Sequence, residues 1–174
     1  MSKHVPDFVH PFRAAEGGYS IEGQLTFARM KRLLEVVENP EGSAEVALGF
    51  AMDEQRIPHV RGRIRTEVVL ICQRCLEAMT VPIQIKLDLG IVESDDQAKR
   101  LPEQYDPLVV SEKPVAVAEL IEDEILLALP AIPRHEGDVC KATNTAMKEE
   151  QAEGGSEKTS ANPFSVLAQL KSKH

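Results

Sequence analysis

Three cysteines and one histidine carry the most specific chemical signal in this chain. Cys72 and Cys75 stand with two residues between them in the run Leu70-Ile-Cys-Gln-Arg-Cys-Leu-Glu77, and Cys140 lies far downstream, with four residues between it and His135. Thiolate and imidazole are the usual ligands of structural zinc, which takes four of them, so Cys72, Cys75, His135 and Cys140 form a candidate Cys3His set. Two other readings of the Cys72–Cys75 pair stand beside it. One is thiols packed at a hairpin tip with no metal. The other is a redox pair, which needs its first cysteine at a helix N-terminus to lower the thiol pKa. A strand pattern follows Cys75, so that device is missing here. His135 alone reads as a surface or loop-capping histidine and gains weight only from Cys140 nearby.

A second signal is a row of cations. Arg61, Arg63 and Arg65 fall on one side of a predicted strand, because strand side chains alternate with a period of two. Arg56 precedes them and Arg74 sits between the paired cysteines. The guanidinium fork suits phosphate, so these residues are the candidate RNA-contacting set. The run lacks the aromatic platforms used on single-stranded RNA, so contact would position a backbone and not read bases. The competing reading is a solvated strand face paired to carboxylates such as Glu45 or Asp88.

Elements must hold these groups in place. Apolar residues alternate over 43–52, 60–72 and 80–92, most cleanly at Val81, Ile83, Ile85, Leu87, Leu89 and Ile91. An antiparallel meander with one wet face accounts for all three patterns. Tyr19 to Leu25 suggests one more short strand, and Leu108 to Val110 an edge strand. Phe27, Met30, Leu33, Leu34 and Val37 predict a helix over 27–38; Val117, Leu120, Ile121, Ile125 and Leu129 predict another over 115–129, stopped by Pro130. Residues 1–18 and 93–114 read as irregular. The fold class expected is α+β, a β-meander packed with two helices, in a single domain over 1–140.

Residues 141–161 lose all periodicity and carry too little apolar surface to order themselves, which predicts a disordered linker. Beyond it Asn162 can cap, Pro163 suits a first helical turn, and Phe164, Leu167 and Leu170 recur at helical spacing. A short amphipathic docking peptide over 162–172 is the expectation, with those three side chains as anchors for a partner's groove or the chain's own core.

The totals narrow the function classes. The chain has 174 residues, 43% of them apolar, no Trp, and a net charge of −8. Its core must be aliphatic. A protein that grips nucleic acid over a broad basic face is disfavoured, because phosphate neutralisation supplies most non-specific affinity. A basic protein partner or a small basic RNA patch fits better. An odd number of cysteines argues against a secreted disulfide framework. No apolar stretch is long enough for a bilayer, so the expectation is a cytoplasmic protein with no membrane partner. There is no phosphate loop, no His-Glu-x-x-His and no histidine cluster, and nothing that calls for a small-molecule substrate.

Four segments in order resemble the YceD family: Val69 to Glu77, Leu120 to Pro130, His135 followed by Cys140, and Asn162 to Leu170. The resemblance spans about Pro11 to Leu170. It implies a non-enzymatic ribosome-biogenesis factor that supports synthesis, processing or stability of the large-subunit ribosomal RNA. The implied partners are the precursor of that RNA or a basic ribosomal or assembly protein. The family offers no catalytic residues to carry over. Glu119, Glu122, Asp123 and Glu124 crowd one helix. Such a cluster is ordinarily a water-facing side. Because Glu122 and Asp123 lie inside a family segment, they are also candidates for a basic partner. The alternatives are a metal-dependent RNA-processing hydrolase and an acidic chaperone for a basic ribosomal protein.

Overall fold

The predicted alternation becomes real strands. The computed structural model describes residues 5–111, 113–137 and 140. The linker over 141–161 and the peptide over 162–172, with Phe164, Leu167 and Leu170, lie outside the described residues. In chain order the elements are β1 (Phe8–Val9), α1 (Pro11–Glu16), β2 (Ser20–Thr26), α2 (Lys31–Leu34), β3 (Ser43–Met52), β4 (Pro58–Ile71), β5 (Ala78–Val92), α3 (Asp95–Ala98), β6 (Asp106–Val109), β7 (Val115–Ala116) and α4 (Val117–Ala128). A turn of 3-10 helix, Phe27–Arg29, precedes α2. The fold is α+β.

The main sheet is five-stranded in the order β2-β3-β4-β5-β6. Its first four strands are antiparallel neighbours, and β6 lies parallel to β5. Strands β1 and β7 form a separate antiparallel pair. One face of the sheet is dry. Val60, Ile64 and Val68 of β4 are fully buried, as are Leu25, Ala44 and Val46 on the neighbouring strands. Helices α1 and α4 pack on that face, α1 against β3 and β4 and α4 against β5. Each fully buried Val, Ile or Leu side chain contributes about 1.5–3 kcal/mol over its exposed state. Gly62 occupies an inward position of β4, where a Cβ would stand 2.4 Å from the Ala47 carbonyl oxygen. Only glycine lets β3 approach β4 so closely there.

The helix predicted over 27–38 is not continuous. Phe27, Met30, Leu33 and Val37 are buried as their spacing required, yet Met30 breaks the run at φ −120°, ψ 83°. The cause is a tertiary contact. The Glu122 carboxylate of α4 reaches under α2, where the backbone N–H groups of Arg32 and Leu33 donate to its Oε1 at 2.6 and 3.0 Å. That satisfies the open end of a new helix beginning at Lys31 and fixes where it starts. Helix α1 arises where no order was expected. Pro11 takes its first turn and Ala14 and Ala15 face the sheet. At the other end, α4 stops at Leu129, which is extended ahead of Pro130 as the residue before proline prefers.

Glu122 is therefore the brace between α2 and α4. Glu122→Ala would leave two inward-facing N–H groups without acceptors. The expected loss is about 2–4 kcal/mol, a fall in melting temperature of roughly 5–15 °C. Asp123→Ala, which touches only the outer side of Arg32, is expected to shift melting by far less. Thermal unfolding followed by circular dichroism measures both; equal shifts would contradict the bracing role.

Candidate metal centre

The β4–β5 hairpin outruns the rest of the sheet. Strand β3 leaves β4 at Thr66, while β4 and β5 stay paired as far as Ile71 opposite Ala78. Beyond Thr66 the chain after α2 covers the free side of β4. Glu38 N–H donates to the Val69 carbonyl at 2.8 Å, and the Asn39 side chain accepts from Val69 N–H at 2.8 Å and donates to the Glu67 carbonyl at 3.2 Å. The hairpin arm thus arrives at its tip with its backbone groups satisfied.

At the tip the chain turns through Cys72–Glu77. Leu76 N–H donates to the Cys72 carbonyl at 2.9 Å, and Cys72 N–H donates to the Glu77 carbonyl at 2.9 Å. Leu76 adopts a φ of 60° and leaves its side chain in water. A left-handed conformation costs a residue with a Cβ about 1–2 kcal/mol, so other contacts must enforce this turn. One is Gln73 N–H, which donates to the Pro133 carbonyl at 2.8 Å. That bond ties the tip to the segment leaving α4, the segment that delivers His135.

The four predicted ligands converge. Cys72 Sγ and Cys140 Sγ are 3.9 Å apart, Cys75 Sγ and His135 Nδ1 are 3.3 Å apart, and all four ligand atoms lie within 4.8 Å of one another. Thiolates about 2.3 Å from one tetrahedral ion stand roughly 3.5–4 Å apart, so the donor set and its spacing fit a metal ion of zinc's kind. Cys72 and Cys140 are buried, Cys75 and His135 half-buried. Arg74 folds back from the turn. Its Nε donates to Cys140 Sγ at 2.9 Å and its Nη2 to the Gly137 carbonyl at 3.3 Å.

The electrostatics favour thiolate. Burial works against the charged form of Cys72, but the backbone N–H groups of Cys75, His135 and Arg74 outweigh it and bring the thiol down to about 5. Such converging amides make an anion nest. His135 is pushed up, chiefly by its contact with Cys72 and then by Cys140. For Cys75 the Glu77 amide lowers the thiol, yet burial and the neighbouring sulfurs of Cys72 and Cys140 prevail and raise it. The cluster thus gathers a lowered thiol, a guanidinium and a histidine favoured in its charged form around one point. A cation bound there would displace the proton that Cys75 holds.

The cationic row divides. Arg61, Arg63 and Arg65 share the sheet face turned away from the helices and are exposed. Arg61 Nε donates to Asp88 Oδ2 at 2.7 Å and its guanidinium lies 5.7 Å from the centre of the Tyr105 ring. Arg56 lies apart, in the β3–β4 turn, with a φ of 64°. Arg74 belongs to the cysteine cluster. The acidic pair divides as well, Glu122 inward and Asp123 outward. Glu122 is 3% exposed and its oxygens are committed to α2, including Arg32 Nε and Nη2 at 3.0 and 2.8 Å. Asp123 pairs with Arg32 Nη1 at 2.6 Å. Both acids meet a cation of their own chain. Alternation along β5 sets Lys86 and Asp88 on the outward side, but their places opposite Arg63 and Arg61 follow from strand register, and that of Tyr105 from the fold of the 93–114 segment.

Among the described residues, no helix is long and apolar enough to cross a membrane. No solved structure matches this chain. Residues 60–171 match the family model of Large ribosomal RNA subunit accumulation protein YceD. A Haemophilus influenzae protein named Large ribosomal RNA subunit accumulation protein YceD is 33% identical over 173 residues, covering 97% of each chain. The match takes in the cysteine turn, α4, His135 and Cys140 together, and on it the chain belongs to the YceD family.

Proposed function

We propose that this protein is a non-enzymatic, cytoplasmic ribosome-biogenesis factor that supports synthesis, processing or stability of the large-subunit ribosomal RNA, and that zinc clamps its hairpin tip. The name of the Haemophilus influenzae relative supports the RNA pathway. The observation that carries the clamp is the convergence of Cys72, Cys75, His135 and Cys140 within 4.8 Å. Four protein ligands close a tetrahedral site and leave no position for a reacting water, which is the pattern of structural zinc. Glu122 and Asp123, the acids a hydrolase would have used, are tied to Arg32. The protein then works by presenting surfaces in fixed relation, over a single domain of residues 1–140. The peptide around Phe164, Leu167 and Leu170 adds a docking segment behind a linker.

Deleting the gene should lower large-subunit RNA relative to small-subunit RNA, or leave unprocessed precursor ends. Both are read by quantitative northern blotting. A normal ratio with normal ends would overturn the function.

The purified protein should hold one zinc per chain by elemental analysis, and Cys72→Ser or Cys140→Ser should lose most of it. The pH dependence has a definite sign. Cys75 is raised above the ordinary thiol value, burial and the neighbouring sulfurs prevailing over the Glu77 amide, so it holds a proton near neutrality and must release it to a metal. Zinc affinity should therefore fall as pH falls, by at least about one decade per pH unit between roughly pH 8 and 6. Competition with a chromophoric chelator measures this. An affinity flat with pH would show that the ion sits elsewhere.

A further inference from the structure

The outward face of the main sheet carries a charge arrangement that folding alone does not favour. In register, Arg63 of β4 lies opposite Lys86 of β5 on one side and Ala47 of β3 on the other. Residues directly opposite across antiparallel strands have Cβ atoms about 4.5–5.5 Å apart, and like charges so placed destabilise the pair. Neighbouring positions resolve their charge differently. Arg61 faces Asp88 and is bonded to it, and Arg65 faces Glu45 and Gln84. Among the described residues, neither Arg63, Arg65 nor Lys86 takes part in an ion pair. All three are exposed, and no described element covers them. A surface in a chain of net charge −8 that keeps two cations side by side, with no ion pair to either among the described residues, is one an anion would relieve.

The form of the anion follows from what surrounds them. Open troughs flank Arg65, one of about 580 Å³ lined by Gln24, Glu45, Thr80 and Gln84, so the surface suits a long object lying across strands and not a small enclosed ligand. Among the described residues, no aromatic side chain stands on this part of the face. Tyr105 is occupied, its hydroxyl donating to Asp53 Oδ2 at 3.0 Å and its ring lying beneath Arg61. Unstacked bases would find no platform, whereas the backbone of a base-paired helix needs none.

We infer that Arg63, Lys86 and Arg65 form a docking ridge for the phosphate backbone of double-helical RNA, gripped by charge and shape without regard to base sequence. The choice of RNA as the anion rests on the ribosomal reading above; the ridge itself rests on strand register. Glu45 lines the troughs on both sides of Arg65, with Glu67 in one and Glu22 in the other, and these carboxylates hold the contact to a few phosphates.

The test is fluorescence anisotropy with the full-length protein and a labelled RNA hairpin of arbitrary sequence. Three neutralised phosphates give a salt slope of about −2.7, a loss of roughly fortyfold between about 50 and 200 mM salt. Arg63→Gln with Lys86→Gln should weaken binding at least tenfold at the lower salt and reduce the slope by about two. Arg100→Gln, an exposed cation off this face, should change neither. The double variant should melt at the same or a higher temperature, because it removes a like-charge pair; a lower melting temperature would mean the pair is structural and overturn the inference. So would unchanged hairpin binding. Tighter binding of a single strand of equal length would overturn the duplex. Polyglutamate that displaces the hairpin at matched charge would reassign the ridge to an acidic protein. Binding loss in the double variant alongside normal ribosomal RNA in the deletion strain would refute the function and leave the ridge. The converse pair of results would refute the ridge alone.

Discussion

The pairing of β4 with β5 is the constraint on which the other features hang. The two strands run together from His59 opposite Gly90 to Ile71 opposite Ala78, past the point where β3 has ended. A hairpin that long must be held along its length or its twist would splay it from the sheet. Its inner face is held by burial, with Ile64, Val68 and Leu70 against the helices. Its free edge is held by Glu38 and Asn39. Its tip is held by Gln73 on Pro133 and by the cysteine cluster. The outward face is left free because these three supports approach from the dry side, the edge and the end.

How much of this was legible depends on the range of each interaction. Strands β3, β4 and β5 could be read because their residues alternate over ten or more positions and one buried face suffices to fix the pattern. Helix α1 escaped because six residues are too few to show a period. Pro11 opens the helix, and Gly17 after Glu16 closes it. The 27–38 segment is the more instructive case. Its apolar spacing foretold burial at Phe27, Met30 and Leu33, yet spacing is blind to a carboxylate ninety residues away. Glu122 selects where α2 begins, and no local propensity could override two hydrogen bonds to inward-facing backbone.

The site divides along the same line. The spacing of Cys72 and Cys75 is local and announces a chelating pair. Cys140 and His135 were joined to it by ligand arithmetic and by the order of the family's segments, and the folded chain brings them to the same point. The part played by Arg74 was not legible. A lone arginine in a turn looks like a surface cation until the fold sets it on a sulfur. Lys86 was not legible as the neighbour of Arg63 for a different reason. Its place beside Arg63 is a fact of register, and a shift of one residue in β5 would have turned it inward. The inward turn of Glu122 on α4 was not legible, because a charged helix face looks solvated until the backbone groups it meets are known.

The cluster and the cationic row share a hairpin but not a support, and this separates their consequences. Arg61, Arg63 and Arg65 lie where β4 is flanked by β3 and β5, so the sheet itself fixes their spacing. The stretch from Val68 to Glu77 has β5 alone as a strand neighbour and relies on the cluster for its end. Local stability in a protein follows such differences in bracing. Loss of a thiolate would therefore loosen the tip, release Leu76 from its left-handed turn and free the segment after α4, while the row kept its geometry. A cation bound at the tip would act as a clamp on the relation between hairpin and helix, and it would reach the outward face only through the rigidity of the arm between them.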